Sequence, residues 1–324
     1  MKIAILRRNG LGDLICTIPL IKFLQRKHPN SKISVFIDNG NYDLANKICP
    51  DINIIIIPKG NKYLSILKTA LKFRKEYFDI AISAKPSPMK LNNLFLWLLG
   101  AKMRYAVVSA TQWHSKLINH PTTLEDVLGY HQALKILRTF SPDEKKLSTD
   151  FFPVITPNNK YNKNNKNNKN NKNNQEYPLI LFSVSNNRTK SLISNEQLAL
   201  IACKIAERYP TAKFIISALP NDIHLAENLI LRINENSQIV ISNSLNEFLV
   251  LLNNMTLIVV GDGGICHLAA ALQKKLVALY GVTKPENWAP LAAEEICITL
   301  YDPEDVNNIN LDEVNNAIFS LLEK

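Results

Sequence analysis

The sequence predicts an α/β protein of two domains, each organised around its own parallel sheet. Three observations carry this. At 324 residues the chain is long for one hydrophobic core and comfortable for two. Short runs dominated by Ile, Val and Phe alternate with helix-length segments throughout; strands apolar on both faces with helices between them form parallel sheets joined by right-handed crossovers. A lysine and asparagine tract, NNKYNKNNKNNKNNKNN at 158–174, interrupts the alternation near the midpoint. It lacks apolar periodicity and has too little hydrophobicity to offset the entropy of ordering it. A solvated linker is therefore expected over 158–176, between domains at 1–157 and 177–324.

In the first domain KIAIL (2–6), ISVFI (33–37), INIIII (52–57) and FDIAIS (78–83) read as buried strands. Helices are expected over 14–27, 62–76, 90–99 and 125–138. In the second, LILFSV (179–184), KFIISA (213–218), QIVIS (238–242), LIVVG (257–261) and LVALYG (276–281) read as strands. Helices are expected there over 195–208, 222–233, 245–253, 265–272 and 311–322. Open parallel sheets bind ligands beyond the carboxyl ends of their strands, so the strand-to-helix turns are where chemistry is expected.

Composition narrows the class. With 46% apolar and 20% charged residues the chain is neither disordered nor fibrous, and it has no uninterrupted apolar stretch of the roughly 18 to 20 residues that a membrane span needs. The start, MKIAILRRNGLGD, lacks the apolar region and cleavage site of a secretory signal, so a cytoplasmic location is expected. Cys16, Cys49, Cys203, Cys266 and Cys297 are scattered and outside CxxC spacing, which suggests buried thiols rather than disulfides or a metal cluster. The net charge of +10 is uneven: residues 1–150 hold 23 Lys and Arg against 11 Asp and Glu, whereas residues 177–324 hold 10 against 16. The basic half suits an anionic partner, and equally a solvated lysine-rich surface.

Three turns could carry chemistry. In RRNGLGDL (7–14), Gly10 and Gly12 permit close ligand approach, and Asp13 stands where a functional carboxylate or a helix cap worth about 1 kcal/mol would sit. Ile15 occupies the third glycine position of a GxGxxG fingerprint, which disfavours a nicotinamide cofactor. In VVGDGGICHLAAAL (259–272), Gly261, Gly263 and Gly264 free the backbone so that N–H groups at a helix start can face a phosphate. Asp262 and His267 stand in the same turn, where His267 is either a further donor or a core residue. In SVSNNRTKSL (183–192), Ser185, Asn186, Thr189 and Lys190 supply hydroxyl, amide and ammonium donors fit for a diphosphate.

On these turns the sequence resembles glycosyltransferase family 9, the heptosyltransferases of lipopolysaccharide core assembly, over its whole length apart from the tract. GLGDLICTIPLIKFL resembles the family's first turn and helix, with Asp13 and Pro19 in place. GDGGICHLAAALQKKLVALYGVTKPENWAPL resembles its second block, through Asp262, Gly264, His267, Gly281, Thr283, Trp288 and Pro290. The resemblance implies a GT-B fold, two Rossmann-like domains with parallel sheets facing across a cleft, an acceptor-binding first domain and a nucleotide-sugar-binding second one. It implies Asp13 as catalytic base at that cleft, with Lys190, Ser185, Asn186, Asp262, Gly263, Gly264 and His267 around the diphosphate, Asp222 near the ribose and Asn243 near the adenine. Gly263 replaces the family's Ser or Thr, Asn186 a hydroxyl residue, and Leu192 a common tryptophan.

The implied reaction is an inverting transfer of heptose from ADP-heptose to an anionic lipopolysaccharide core acceptor. Gly12, Arg7, Arg8, Lys85, Lys90 and Arg104 are the candidate acceptor contacts. No D-x-D motif occurs, so no metal and no cofactor beyond the donor are expected. A monomer, peripheral on the cytoplasmic face of the inner membrane, and no nucleic-acid partner complete the expectation. LFLWLLG (94–100) reads as a buried helix before it reads as a membrane contact. Rival readings are a transferase for another nucleotide sugar, a GT-B sugar-nucleotide epimerase, an inactive relative, or a basic nucleic-acid-binding protein, which would bind oligonucleotides in a salt-sensitive way.

Overall fold

A computed structural model of the chain describes residues 1–8, 10–156, 177–233 and 236–324. The expected linker at 158–176 lies outside the described residues. Those that are described form two compact units, Met1–Pro153 and Val154–Lys324.

The first unit holds strands β1 (Lys2–Leu6), β2 (Lys32–Asp38), β3 (Asn53–Ile57), β4 (Ile80–Ser83), β5 (Met103–Val108) and β6 (His120–Thr123). Its helices are α1 (Leu11–Ile15), α2 (Ile18–Lys27), α3 (Tyr42–Ile48), α4 (Lys62–Phe73), α5 (Lys90–Leu99) and α6 (Gln132–Arg138). The strands are parallel, in the order β3-β2-β1-β4-β5-β6, with Ile3 of the central strand aligned to Ile33 on one side and Ile80 on the other. Phe36 on β2, fully buried, meets Phe73, Phe78 and Phe95 edge-on at 5.5, 6.0 and 5.1 Å. Such pairs contribute about 0.5–1.5 kcal/mol each beyond the area they bury, and here they fasten α4 and α5 to the sheet.

The second unit repeats the plan. Strands β7 (Leu179–Ser183), β8 (Lys213–Ser217), β9 (Ser237–Val240), β10 (Leu257–Gly261), β11 (Lys275–Gly281) and β12 (Cys297–Asp302) are joined through α7 (Asn195–Arg208), α8 (Ile223–Ile230), α9 (Leu245–Asn254), α10 (Gly264–Ala271), α11 (Pro285–Trp288) and α12 (Leu311–Leu322). Their order, β12-β11-β10-β7-β8-β9, is that of the first unit counted from its own first strand. The chain reverses direction across the sheet between β1 and β4 in one unit and between β7 and β10 in the other. Those are the crevices where doubly wound sheets bind ligands.

Several elements depart from expectation. The helix expected over 14–27 is two, α1 and α2, because Pro19 has no N–H to give and its ring opposes the carbonyl of Ile15. The Thr17 hydroxyl instead donates to the Asp13 carbonyl at 3.0 Å. The helix expected over 125–138 begins only at Gln132, since Gly129 is in the left-handed region (φ 78°) and breaks it. α8 is shorter than 222–233. β5, β6 and β12 were not expected as strands. β6 and β12 are sheet edges and β5 adjoins one, so no continuous apolar run marks them. The short helices α3 and α11 were also missed.

Candidate functional site

The end of β1 in the first unit is organised by one buried cation. The Arg7 N–H extends the ladder by donating to the Phe36 carbonyl at 2.9 Å, and this turns the side chain into the sheet edge, where it is 2% exposed. Its guanidinium donates from Nη1 to the carbonyl of Ala84, just past β4, and from Nη2 to Asp13 Oδ1 in the first turn of α1. Arg7 therefore bridges the two strands at the reversal point and fixes the carboxylate beside them. Burial draws its pKa down while Asp13 opposes the shift. The Asp13 side chain keeps 19% exposure, enough for a hydroxyl to reach it.

Beside this pair lies a cavity of about 210 Å³ with Arg7, Arg8, Lys62, Lys85 and Lys90 in its wall, together with Tyr63, and none of its described lining residues is acidic. Arg8 is held at 2.9 Å by Asp38 at the end of β2, and Lys90 stands 5.5 Å over the Trp113 ring. Arg7, Arg8, Lys85 and Lys90, expected near an acceptor, are thus brought together. Arg104 is not. It lies at the amino end of β5, donating from Nε to Leu117 and from Nη1 to Ala101 carbonyls at 2.8 and 2.7 Å, because strand direction carries residue 104 to the opposite edge of the sheet. Gly12 is the second residue of α1 and its carbonyl accepts from Cys16 N–H.

In the second unit the turns after β7, β10 and β11 are interlocked. An added Cβ at Gly261 would stand 1.9 Å from the Ser191 carbonyl oxygen, and one at Gly281 2.2 Å from that of Lys190. The loop carrying Lys190 therefore lies directly on the ends of β10 and β11, and no side chain fits beneath it. Asn186 clamps it by donating from Nδ2 to the Ser191 and Asp262 carbonyls at 3.0 and 2.9 Å and accepting the Arg188 N–H at 3.0 Å. Its amide hydrogens are committed to backbone, so Asn186 holds the turn in shape. The Ser185 hydroxyl likewise accepts the Leu219 N–H at 2.8 Å, tying the ends of β7 and β8.

Residues 66–315 match the family described as Glycosyltransferase family 9 (heptosyltransferase). The chain belongs to that family. It is a glycosyltransferase, and the matched region takes in the whole second-unit turn while Asp13 precedes it. Lipopolysaccharide heptosyltransferase 1 of Campylobacter coli is 22% identical over 346 residues, covering 94% of this chain and 97% of that protein. Among solved structures, E. coli ADP-heptose LPS heptosyltransferase II superposes with a TM-score of 0.78 at 18% identity, covering 100% of this chain and 99% of the other. The UDP-GlcNAc 2-epimerase of Neisseria meningitidis reaches a TM-score of 0.53 at 16% identity, covering 100% and 92%. These likenesses show the GT-B fold, which transferases and epimerases share.

The transferase's turn holds a residue that the sequence reading passed over. Arg188, half exposed, pairs with the buried Asp262 and donates from Nη1 to Thr283 Oγ1 at 3.1 Å. Its signal in the sequence was Asp262 itself, since a carboxylate buried at a strand end demands a cation, and Arg188 stands in a loop leaving the neighbouring strand. Burial pushes the Asp262 carboxyl above its ordinary range, against the pull of Arg188 and Thr283. Thr283 is delivered by strain. The Thr283 N–H donates to the Gly281 carbonyl at 2.7 Å across Val282 at φ 68°, a tight turn that a β-branched residue adopts reluctantly.

Gly263 caps α10 with extended backbone (φ 171°) and offers no side-chain hydrogen bond to the first N–H groups of the helix. His267 is 3% exposed, with its ring edge-on to Trp288 at 6.4 Å, so it lies within the packing of α10 and α11. Lys190 is exposed in the same loop. Asp222, partly buried at the start of α8, and Asn243, exposed after β9 with its N–H donating to Glu247 at 2.9 Å, share the carboxyl edge but are not bonded to this turn. Burial holds the Cys16 thiol up at about 12 and raises that of Cys266 as well, which leaves both unreactive. Among the described residues no three His, Cys, Asp or Glu side chains gather to hold a metal ion, and no helix is long and apolar enough to cross a membrane.

Proposed function

We propose that the chain transfers a heptose from ADP-heptose to an anionic inner-core acceptor of lipopolysaccharide, with inversion and without a metal, acting as a monomer peripheral to the cytoplasmic face of the inner membrane. The observation that carries this is the Arg7–Asp13 pair beside a cavity walled by cations. A carboxylate fixed in direction by a buried guanidinium suits a general base, and the cationic wall suits a phosphorylated or carboxylate-bearing saccharide.

In this reading Asp13 accepts the proton of the acceptor hydroxyl as its oxygen bonds to the anomeric carbon from the face opposite the diphosphate. The anomeric carbon–oxygen bond to the diphosphate breaks, and the electron pair leaves with ADP. Lys190, Arg188 and the N–H groups at the start of α10 stabilise that charge, the task that a metal performs in other transferases. The likeness to a lipopolysaccharide heptosyltransferase and to an ADP-heptose heptosyltransferase supports ADP-heptose and a lipopolysaccharide acceptor.

The test is a donor screen by mass spectrometry with ADP-heptose and other nucleotide sugars, EDTA present, and truncated lipopolysaccharide as acceptor. Transfer from ADP-heptose that resists EDTA and falls about 10² to 10⁴-fold in Asp13→Asn is the expected result. Turnover of a nucleotide sugar without any acceptor would identify an epimerase instead, and failure to bind any nucleotide sugar would sink the proposal.

A further inference from the structure

We infer that the outward face of α4 is a docking surface for an anionic lipid bilayer. α4 packs Ile66, Thr69 and Ala70 inward. Its opposite side carries Leu64, Lys68 and Leu71 in one row, spaced four and three residues apart, with Lys75 next in line. A helix facing only water would carry polar residues of both signs there. Instead Tyr63, Leu64 and Leu71 are 63%, 55% and 52% exposed. Between 59 and 77 stand six Lys and Arg against one acid, Glu76, which is already paired with Lys2 at 2.9 Å. Arg74 donates to the Leu98 carbonyl at 3.2 Å, which fastens the last turn of α5, bearing the exposed Trp97, beside the end of α4.

Leucine and aromatic side chains interspersed with lysines, lying along a helix rather than lining a groove, match the boundary between headgroups and acyl chains. Single-sign charge supplies the complement to an anionic bilayer. The face is also continuous with the cationic cavity, because Lys62 and Tyr63 in the first turn of α4 line it. An acceptor anchored in the bilayer would present its anionic saccharide to that cavity along α4. In this respect the inference rests on the proposed lipid-linked acceptor.

The experiment is flotation of the full chain with vesicles of phosphatidylglycerol mixed equally with phosphatidylcholine, and with vesicles of phosphatidylcholine alone. Wild type is expected to float with the first only, and less as salt rises. Lys68→Glu with Lys75→Glu is expected to lower partitioning roughly 25-fold or more, since each lysine near such a surface is worth about fivefold. Leu64→Glu with Leu71→Glu is expected to lower it similarly, while Leu231→Glu, an 84% exposed position of the other unit, leaves it unchanged. Variants that float like wild type, a wild type that ignores anionic vesicles, or a loss of self-association in the variants without loss of flotation would overturn the inference. Both double variants are expected to glycosylate an acyl-free acceptor saccharide at the wild-type rate. Absence of that transfer in wild type, with charge-dependent flotation intact, supports the surface and counts against the transferase substrate alone.

Discussion

Arg7, buried to 2% exposure, donates one guanidinium nitrogen to Asp13 and the other to the carbonyl of Ala84, so a single cation sets the carboxylate relative to the ends of β1 and β4. Removing the carboxylate therefore has two consequences. Asp13→Ala strands a buried cation, which costs on the order of 3 kcal/mol, whereas Asp13→Asn keeps an oxygen for Arg7 and is expected to lose much less. Both are expected to lose transfer by about 10² to 10⁴. Thermal unfolding beside initial rates separates the effects, and wild-type turnover by a folded Asp13→Asn would remove Asp13 as base.

Arg188 is predicted to serve nucleotide binding as well as the turn. Its truncation to Ala takes a charged donor from buried Asp262, a loss of about 1.5 kcal/mol in stability, and takes a cation from the mouth of the site. ADP affinity measured by calorimetry is expected to fall about tenfold, as for loss of one charge-assisted bond. Arg188→Lys is expected to recover only part of it, because both bonds come from Nη1 at the tip of the arginine, and the shorter lysine places its ammonium short of that point. Unchanged ADP affinity in Arg188→Ala would confine the residue to a structural role.

Three glycines at the strand ends of the second unit are predicted to behave differently. Gly261→Ala would place a methyl group 1.9 Å from the Ser191 carbonyl oxygen and is expected to cost about 2 kcal/mol or more by displacing the Lys190 loop. Gly281→Ala meets the Lys190 carbonyl at 2.2 Å and is expected to act alike. At Gly263 the backbone is extended and the nearest atom to an added Cβ is Asn186 Nδ2 at 3.8 Å. Gly263→Thr is therefore expected to fold, gain a few tenths of a kcal/mol as a helix cap and bind ADP more tightly. Destabilisation by Gly263→Thr comparable to Gly261→Ala would contradict this geometry.

Most of this architecture was legible from the sequence because its central strands are buried on both faces. KIAIL and LIVVG have the bounds of β1 and β10, since between Lys2 at the start of one and Gly261 at the end of the other only Ile, Val, Leu and Ala occur. β6, reading HPTT, carried no such mark at a sheet edge. The site was legible where it depends on local chain chemistry, as in the glycine turn before α10. It was not where a partner comes from afar in sequence. Nothing local to Asn186 says that its amide is bound to the carbonyl of residue 262, and nothing local to Arg104 says that its strand begins, rather than ends, beside it.

Val282 offers a test of stored strain. It is β-branched with φ 68°, and it brings Thr283 to Arg188. Val282→Gly relaxes a conformation that costs about 1 kcal/mol or more in a non-glycine residue, so thermal stability is expected to rise or hold. ADP binding is expected to weaken as the Thr283 position loosens. A marked loss of stability would show that Val282 contributes packing instead of strain.

Asp262 makes the sharpest prediction for pH. Burial raises its carboxyl more than Arg188 and Thr283 lower it. A carboxyl harder to ionise in the folded than in the unfolded chain contributes stability that is fully present below the unfolded value of about 3.9 and is lost as pH rises through the folded one. At neutral pH the ionised group therefore weighs against the fold. Asp262→Asn removes that titration while keeping the shape, so its melting temperature is expected to exceed wild type at neutral pH, with the difference closing as pH falls towards about 4. A difference that is flat in pH, or that widens on acidification, would contradict the assignment. The same variant is expected to bind ADP less tightly, because Arg188 loses the acceptor that aims it. A variant that is more stable and binds more weakly is what a carboxylate retained for positioning produces, since stability and site geometry then make opposite demands on one residue.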